Sequence, residues 1–472
     1  MEDDIITLLH QNGVTHVVEE IFSYLDYSDI KSASQVSRSW RNVLTNSRVW
    51  KILWSRNIAH LPAWNLLYKR AICQKSWNPE WSPLQACRFV GDAYEKVLRN
   101  LQQGKFTEKV DPDNKSDLFQ IGSTQVVRAG YSDYGDNRIF VQNRWNLNEE
   151  ESTFLITQWP CQIEQLEISE PYLIAVTITS VYSVLIWDLE QKKKIQEFVQ
   201  PKQLQNSQGI LMNLMGVNVK CNDKVLITCC SFREVEGENS VGTLNSATKL
   251  FARQMPCDTH PETDFPVIGV RTVTNFLLNY SRGNSSLLLE DQRIILFEKD
   301  WTRAVILSIN PFRIIRSLKL NFFKRVNSPL DDLPARRNTR KYWNGWLLRN
   351  KEDFHHYCFP RIIMKNIDTG KVIWHNTEHL DFDVVNNLLV VMCPDNLESP
   401  DGLKFDVWTL PQTNGSKDMH LLYSLEHRHP EIIYSYLHEL KIRFDGVQLW
   451  VYLCYRSDEQ NYVTVTGKDF TC

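Results

Sequence analysis

Apolar positions in the first hundred residues recur at helical spacing. Val17, Val18, Ile21, Phe22 and Leu25 share one face of a helix, and Glu19, Glu20 and Ser23 lie off it. Asp26-Tyr-Ser-Asp29 then interrupts the pattern and offers capping side chains for a second helix. Ile30, Ala33, Val36 and Trp40 form a second apolar stripe, with Leu44 one turn further on. A unit of roughly 40 residues is smaller than the size at which a core usually closes unaided. Part of its apolar surface is therefore expected to be left for a partner.

Helical character continues to about residue 106. Trp50, Leu53 and Trp54 fit one short helix, and Trp64, Leu67, Tyr68 and Ile72 another, with breaks at Leu61-Pro62 and Asn78-Pro79. Six of the 15 tryptophans fall in the first 81 residues, so this neck is expected to be packed and not a loose tether. Ser82-Pro83 reads as a cap and first turn. The helix it starts should run to about Gln103, with Phe89, Ala93, Val97 and Leu101 as a seam and Gly104 as its stop.

From about residue 107 the period shortens. Short apolar runs alternate with Asp, Asn, Gly and Ser, the pattern of many short antiparallel strands. The clearest unit is Tyr172-Leu-Ile-Ala-Val-Thr177, Ser183-Val-Leu-Ile-Trp-Asp-Leu189 and Lys194-Ile-Gln-Glu-Phe198. Echoes follow at Ser286–Leu289 with Arg293–Phe297 and Ala304–Ser308, at Pro360–Trp374, at Leu388–Met392 with Phe405–Leu410 and Leu421–Leu425, and at Ile442–Leu453 with Tyr462–Thr466. At roughly 45 to 50 residues per unit the remaining length holds about seven.

Two resemblances attach to these residues. Ile21-Phe-Ser-Tyr-Leu25, Asp29-Ile30, Val36-Ser-Arg-Ser-Trp-Arg41 and Val49-Trp50 resemble an F-box, the helical module that docks a Skp-type adaptor in cullin-based ubiquitin ligases. Where that family often has Leu-Pro followed two residues on by Glu, this chain has Gly13, Val14 and His16. Leu98-Arg-Asn-Leu-Gln-Gln-Gly104 is similar to the segment that precedes the propeller in F-box proteins with WD repeats, with Leu101 where Trp is usual. The strand–turn–strand unit ending in Trp187-Asp188 has the order of a WD-repeat blade. The echoes are degenerate: Trp-Asp occurs once and the Gly-His mark is missing. The implied fold is multidomain: an F-box at 10–56, a helical linker at 57–106 and a divergent WD-repeat-like β-propeller at 107–472. A β-sandwich pair or an irregular β domain is the alternative to the propeller.

Composition narrows the function classes. The 472 residues are 43% hydrophobic and 23% charged, as in a globular chain. A net charge of −3 gives no support to generic nucleic-acid binding. No apolar run reaches the roughly 18 to 20 residues that cross a bilayer. The eleven cysteines include no Cys-x-x-Cys, which suits a reducing compartment, cytosol or nucleus, with mostly buried, inert thiols.

Candidate chemistry is sparse. His355-His356 would point to opposite faces of a strand, and His427 and His429 have no evident thiol or carboxylate partners, so no metal is expected. No Gly-x-Ser-x-Gly, catalytic cysteine setting or Walker loop is evident, and no cofactor is expected. Arg336, Arg337, Arg340 and Lys341 form a basic stretch that can read an acidic or phosphorylated target, or simply be solvated and paired with Asp331 and Asp332.

The resemblance implies a non-catalytic substrate receptor. Val17, Val18, Ile21, Phe22, Leu25, Ile30, Val36 and Trp40 would divide between the module's own core and the adaptor, and the adaptor would bring in cullin–RING. The propeller would hold an unidentified target protein. A non-degradative interaction scaffold built on the same propeller is the alternative.

Overall fold

The computed structural model describes residues 4–45, 47–111, 118–129, 138–146, 152–155, 161–205, 209–234, 245–256, 265–278, 286–290, 292–298, 302–320, 340–343, 345–351, 361–375, 381–385, 388–394, 402–410, 419–428, 437–456 and 461–471. Helices come first: α1 (Ile5–Gln11), α2 (Thr15–Ser23), α3 (Tyr27–Val36), α4 (Arg38–Thr45), α5 (Val49–His60), α6 (Pro62–Cys73) and α7 (Pro83–Gln102). Strands follow to the end of the chain.

Helix boundaries follow local chemistry. Asp26 caps α3, its side chain accepting from Asp29 N at 2.9 Å. Ser82 caps α7 in a capping box with Gln85, Pro83 fills the first turn, and Gly104 (φ +63°) follows the helix end. The second apolar stripe is not one helix. Ser37 adopts an extended conformation that ends α3, and its hydroxyl accepts from Trp40 N at 3.1 Å to start α4. Val36 and Trp40 therefore sit on different helices, and Val36 is exposed. α1 lies ahead of the first helix read from the sequence, with Ile5, Ile6, Leu8 and Leu9 at helical spacing. Its cap, Asp4, also accepts from the Trp40 indole N–H at 2.8 Å.

The neck is packed, as its tryptophans predict. Trp54 stacks on Trp77 at 5.5 Å, and Trp81 meets Phe89 at 4.8 Å. In α7, Val97 and Leu101 are buried as expected, but Phe89 is not; Val90, Ala86 and Gly91 complete the buried face instead. Gly91 has a steric reason: a Cβ there would lie 2.6 Å from the Tyr27 ring. Tyr27 donates its hydroxyl to Asp92 Oδ1 at 2.8 Å, and Lys31 bridges Asp92 and Glu95 at 2.7 Å each. Burial first, then the bond to Asp92, pushes the Tyr27 phenol well above its ordinary value.

The described strands sort into seven antiparallel sheets, each a blade of a β-propeller. Four, at 118–155, 162–199, 203–274 and 287–319, belong to the compact unit Lys115–Asp332. Three, at 340–375, 381–428 and 437–469, belong with the helices to the second unit, Met1–Asn114 plus Leu333–Cys472. Within each unit, one strand of each sheet lies beside its counterpart in the next, Leu118–Ile121, Gln162–Ser169, Leu211–Cys221 and Leu287–Leu289 in the first and Arg340–Trp343, Asp381–Val385 and Leu437–Phe444 in the other, and the sheets bury aliphatic faces between them. In the first unit, Ile174, Val176 and Ile186 of one sheet meet Val217, Leu226 and Phe232 of the next. In the other, Leu348, Ile362 and Met364 meet Phe382, Leu389 and Val391.

Gln165 laces two of these sheets, donating to Val219 O at 2.8 Å and accepting from Val219 N at 3.0 Å. Beside it, Lys220 and Glu167 form an ion pair. The sheet at 203–274 has a fifth strand, Gln203–Gln205, on the inner side.

Two features of the sheets are not visible in the sequence pattern. Thr107–Asp111, the first strand, pairs with Asn461–Asp469, near the other end of the chain, and so completes the last sheet. Outer strands also share a device: Ile195, Ile268, Ile315 and Leu422 are each an extra residue of the outer strand, a β-bulge opposite the strand next to it. Of the described free cysteines, Cys73 is exposed and Cys221 half-buried, and the others are buried. Burial pushes the Cys87 thiol up to about 12.

Candidate protein-docking site on the helical module

Helices α2 to α5 form a small core whose inward side chains come from every helix. Val18 and Ile30 are fully buried, and Phe22 nearly so, with the Trp40 ring edge-on to Phe22 at 5.4 Å. Val43, Leu44, Val49, Trp50 and Leu53 close this core, and the Trp50 indole N–H donates to Leu44 O at 2.7 Å. Arg56 of α5 reaches back to the end of α2, donating from Nη1 to Ser23 O and from Nη2 to Leu25 O, each at 2.6 Å. It thus holds carbonyls that a helix end leaves without partners.

The outward side chains are the ones a partner can meet. Ile21 is 43% exposed, Tyr24 76% and Val36 63%. A cleft of about 540 Å³ runs between α2 and α5, floored by Val17, Ile21, Tyr24 and Ile52 and edged by Glu19, Glu20, Arg48 and His16. Its rim is ordered. Glu19 accepts from Arg48 N at 2.8 Å, and the Tyr24 hydroxyl donates to Glu20 at 2.9 Å. That bond to Glu20 raises the Tyr24 phenol.

The structure thus divides the eight apolar residues singled out in the sequence. Val18, Phe22 and Ile30 belong to the module's own core, and Ile21 and Val36 face outward. Val17, Leu25 and Trp40 are half-buried. Tyr24 and Ile52 were missed: Tyr24 stands seven residues after Val17 and three after Ile21, on the same side of the helix, and Ile52 lies off the stripe of Trp50, Leu53 and Trp54. Ile5 and Leu8 of α1, 70% and 42% exposed, were also missed, although Ile5, Ile6, Leu8 and Leu9 follow the Asp4 cap at helical spacing.

The basic stretch is only partly described. Arg336 and Arg337 lie outside the described residues, and Arg340 lies on the strand Arg340–Trp343. Lys341 pairs with the buried Asp383 at 2.8 Å. His355, His356 and His429 also lie outside the described residues. Among the described residues, no three His, Cys, Asp or Glu side chains gather as a metal site requires, and no helix is long and apolar enough to cross a membrane.

The F-box domain family model matches residues 15–52, which are the helices that form this site. The chain therefore carries an F-box domain, followed by a β-propeller. It is 27% identical over 103 residues to F-box and WD repeat domain-containing 11-A of Danio rerio, a match covering 22% of this chain and 18% of that relative. Among solved structures, a chain in the crystal structure of the mitotic checkpoint complex is similar with a TM-score of 0.41 at 11% identity, covering 76% of this chain and 92% of that one. The Cps50 (Swd1) β-propeller domain of Myceliophteria thermophila is similar with a TM-score of 0.39 at 11% identity, covering 77% and 99%. Both scores are too low to support an argument, and the propeller rests on this chain's own strand order and register.

Proposed function

We propose that this chain is a substrate-recognition subunit of a Skp–cullin–F-box ubiquitin ligase, its F-box docking a Skp-type adaptor and its propeller holding a target protein. The observation that carries the reading is the split of the F-box's apolar residues. Val18, Phe22 and Ile30 close a core, while the exposed Ile21 and Tyr24 line an apolar-floored cleft with Val17 and Ile52. A contiguous exposed apolar surface of this kind marks a protein-docking site.

The mechanism is proximity. Holding a target lysine beside a ubiquitin-loaded enzyme raises its effective concentration, and no residue of this chain takes part in bond making. A stiff neck supports this, because a 20-residue helix is about 30 Å long. α7 is tied to the last sheet: the buried Asn100 donates to Phe470 O at 3.0 Å, and Phe106 packs against Phe470 with Lys468 3.6 Å above its ring. At the target end, Lys341 is engaged by Asp383, so Arg336, Arg337 and Arg340 are the basic residues put forward for target contact.

Purified full-length chain should bind a Skp-type adaptor, and Ile21→Asp with Tyr24→Asp should weaken that by about 100-fold or more without lowering the melting temperature. These two residues are the better probes because Leu25 is half-buried and its carbonyl is held by Arg56. A wild-type chain that does not bind, or a variant that binds equally well, overturns the reading. If the adaptor binds but a neddylated cullin never joins the complex, the chain is a scaffold and not a receptor.

A further inference from the structure

One tyrosine of the docking site carries a group that folding does not use. Tyr24 is 76% exposed, and among the described tyrosines it alone is exposed. It stands in the turn at 24–26, between the end of α2 and the start of α3. Its hydroxyl takes no part in the core and donates to Glu20 on the outside of α2. Tyr27, a few residues on, differs in every respect. It is buried, with its hydroxyl fixed on Asp92.

The chain around Tyr24 is acidic. Glu19 and Glu20 precede it, Asp26 and Asp29 follow it, and no lysine or arginine occurs before Lys31. An acid-flanked phenol on a turn suits an enzyme whose peptide groove is basic. Two cations approach from α5. Arg56 is committed to Ser23 O and Leu25 O, and Arg48 lines the same cleft as Tyr24 with its guanidinium outside any ion pair among the described residues.

A phosphate on the Tyr24 oxygen carries a charge of about −1.5 to −2 at neutral pH. It would lie beside the Glu20 carboxylate and at the C-terminal end of α2, the negative end of the helix dipole. Both repel it, so it turns towards water or towards Arg48. In either position the apolar floor of Val17, Ile21 and Ile52 gains a strongly hydrated, doubly charged neighbour. A partner covering that floor must then strip water from the phosphate, and burying a charge costs more than an apolar contact returns.

We propose that Tyr24 is a phosphorylation site for a tyrosine kinase, and that its phosphate switches off docking at the cleft between α2 and α5. The donor is ATP. An Oη–P bond forms, the bond from that phosphorus to the bridging oxygen breaks to release ADP, and the phenol proton passes to a base of the kinase. The proposal rests on the reading of this cleft as the adaptor site and adds a reversible control to it.

The test uses the full-length chain, MgATP and a tyrosine kinase catalytic domain. A Skp-type adaptor is titrated before treatment, after it, and again after a tyrosine phosphatase. Mass spectrometry should place phosphate on Tyr24 and leave Tyr27 unmodified. Adaptor affinity should fall by at least about 30-fold on phosphorylation and return on dephosphorylation. Whatever affinity Tyr24→Phe has, it should be the same before and after kinase treatment. Four results overturn the proposal and leave the receptor reading standing: Tyr24 stays unmodified, the phosphorylated chain binds as tightly as the untreated one, the phosphatase does not restore binding, or Tyr24→Phe still loses affinity on treatment. An untreated chain that does not bind the adaptor overturns both.

Discussion

Single residues in the helical part act through contacts that can be tested one at a time. Gly91 is small because the Tyr27 ring occupies the space where a Cβ would lie. Gly91→Ala gains helix propensity but must displace a ring whose hydroxyl is fixed on Asp92. The clash should win, with a net loss of about 1–3 kcal/mol, read from chemical denaturation. Asp26 gives a pH signature. Its pKa is lowered, first by the bond from Asp29 N, so the folded chain binds that proton less readily than the unfolded chain does. The stability it contributes is therefore complete above its unfolded pKa, near the ordinary 3.8, and is lost as pH falls through the lower folded value. Asp26→Asn should keep the cap but flatten that part of the acid limb, and Asp26→Ala should cost about 1 kcal/mol at neutral pH. Melts between pH 7 and 2 on the three proteins check both. The cap was legible in the sequence, because a cap and its helix are neighbours along the chain. The reason for Gly91 was not, since Tyr27 lies far from it in sequence.

At the level of elements, the helix that the sequence predicts from Ser82 is present within a residue of its expected end. The stripe from Ile30 to Trp40 is real as a pattern but is cut at Ser37, and periodicity alone cannot distinguish one helix from two that happen to keep phase. Where α2 ends, a residue thirty positions away takes over the capping. Arg56 holds both Ser23 O and Leu25 O, and the same short stretch presents Tyr24 to solvent. Arg56→Met keeps most of the packing and removes both charged hydrogen bonds. It should destabilise the domain by about 1.5–3 kcal/mol and weaken adaptor binding, because the Tyr24 turn loses its anchor. Denaturation and adaptor titration measured together check this; a stability loss with unchanged adaptor affinity would show that Tyr24 needs no such support. The strands were legible as short apolar runs, but the outer ones with exposed faces, Val267–Thr274 and Arg313–Lys319, were not.

For the whole molecule, the decisive pairing joins Thr107–Asp111 to Asn461–Asp469. Removing residues 461–472 unpairs the first strand, strips one edge of Gln448–Arg456 and removes Phe470, which accepts from Asn100 of the neck. The truncated chain should lose its cooperative thermal transition and become open to protease cleavage near residue 106; a truncated chain that melts like the intact one would show that this pairing is dispensable. The sequence by itself determined what depends on near neighbours: a helical front with two apolar stripes, a capped neck, a long run of short strands, and the F-box signature within them. Tertiary structure alone decided which apolar residues close the F-box core and which face out, and that the first strand completes the last sheet. Each of these depends on groups brought together from positions far apart along the chain. A side chain's burial is set by what arrives over it, and no local pattern of spacing records that.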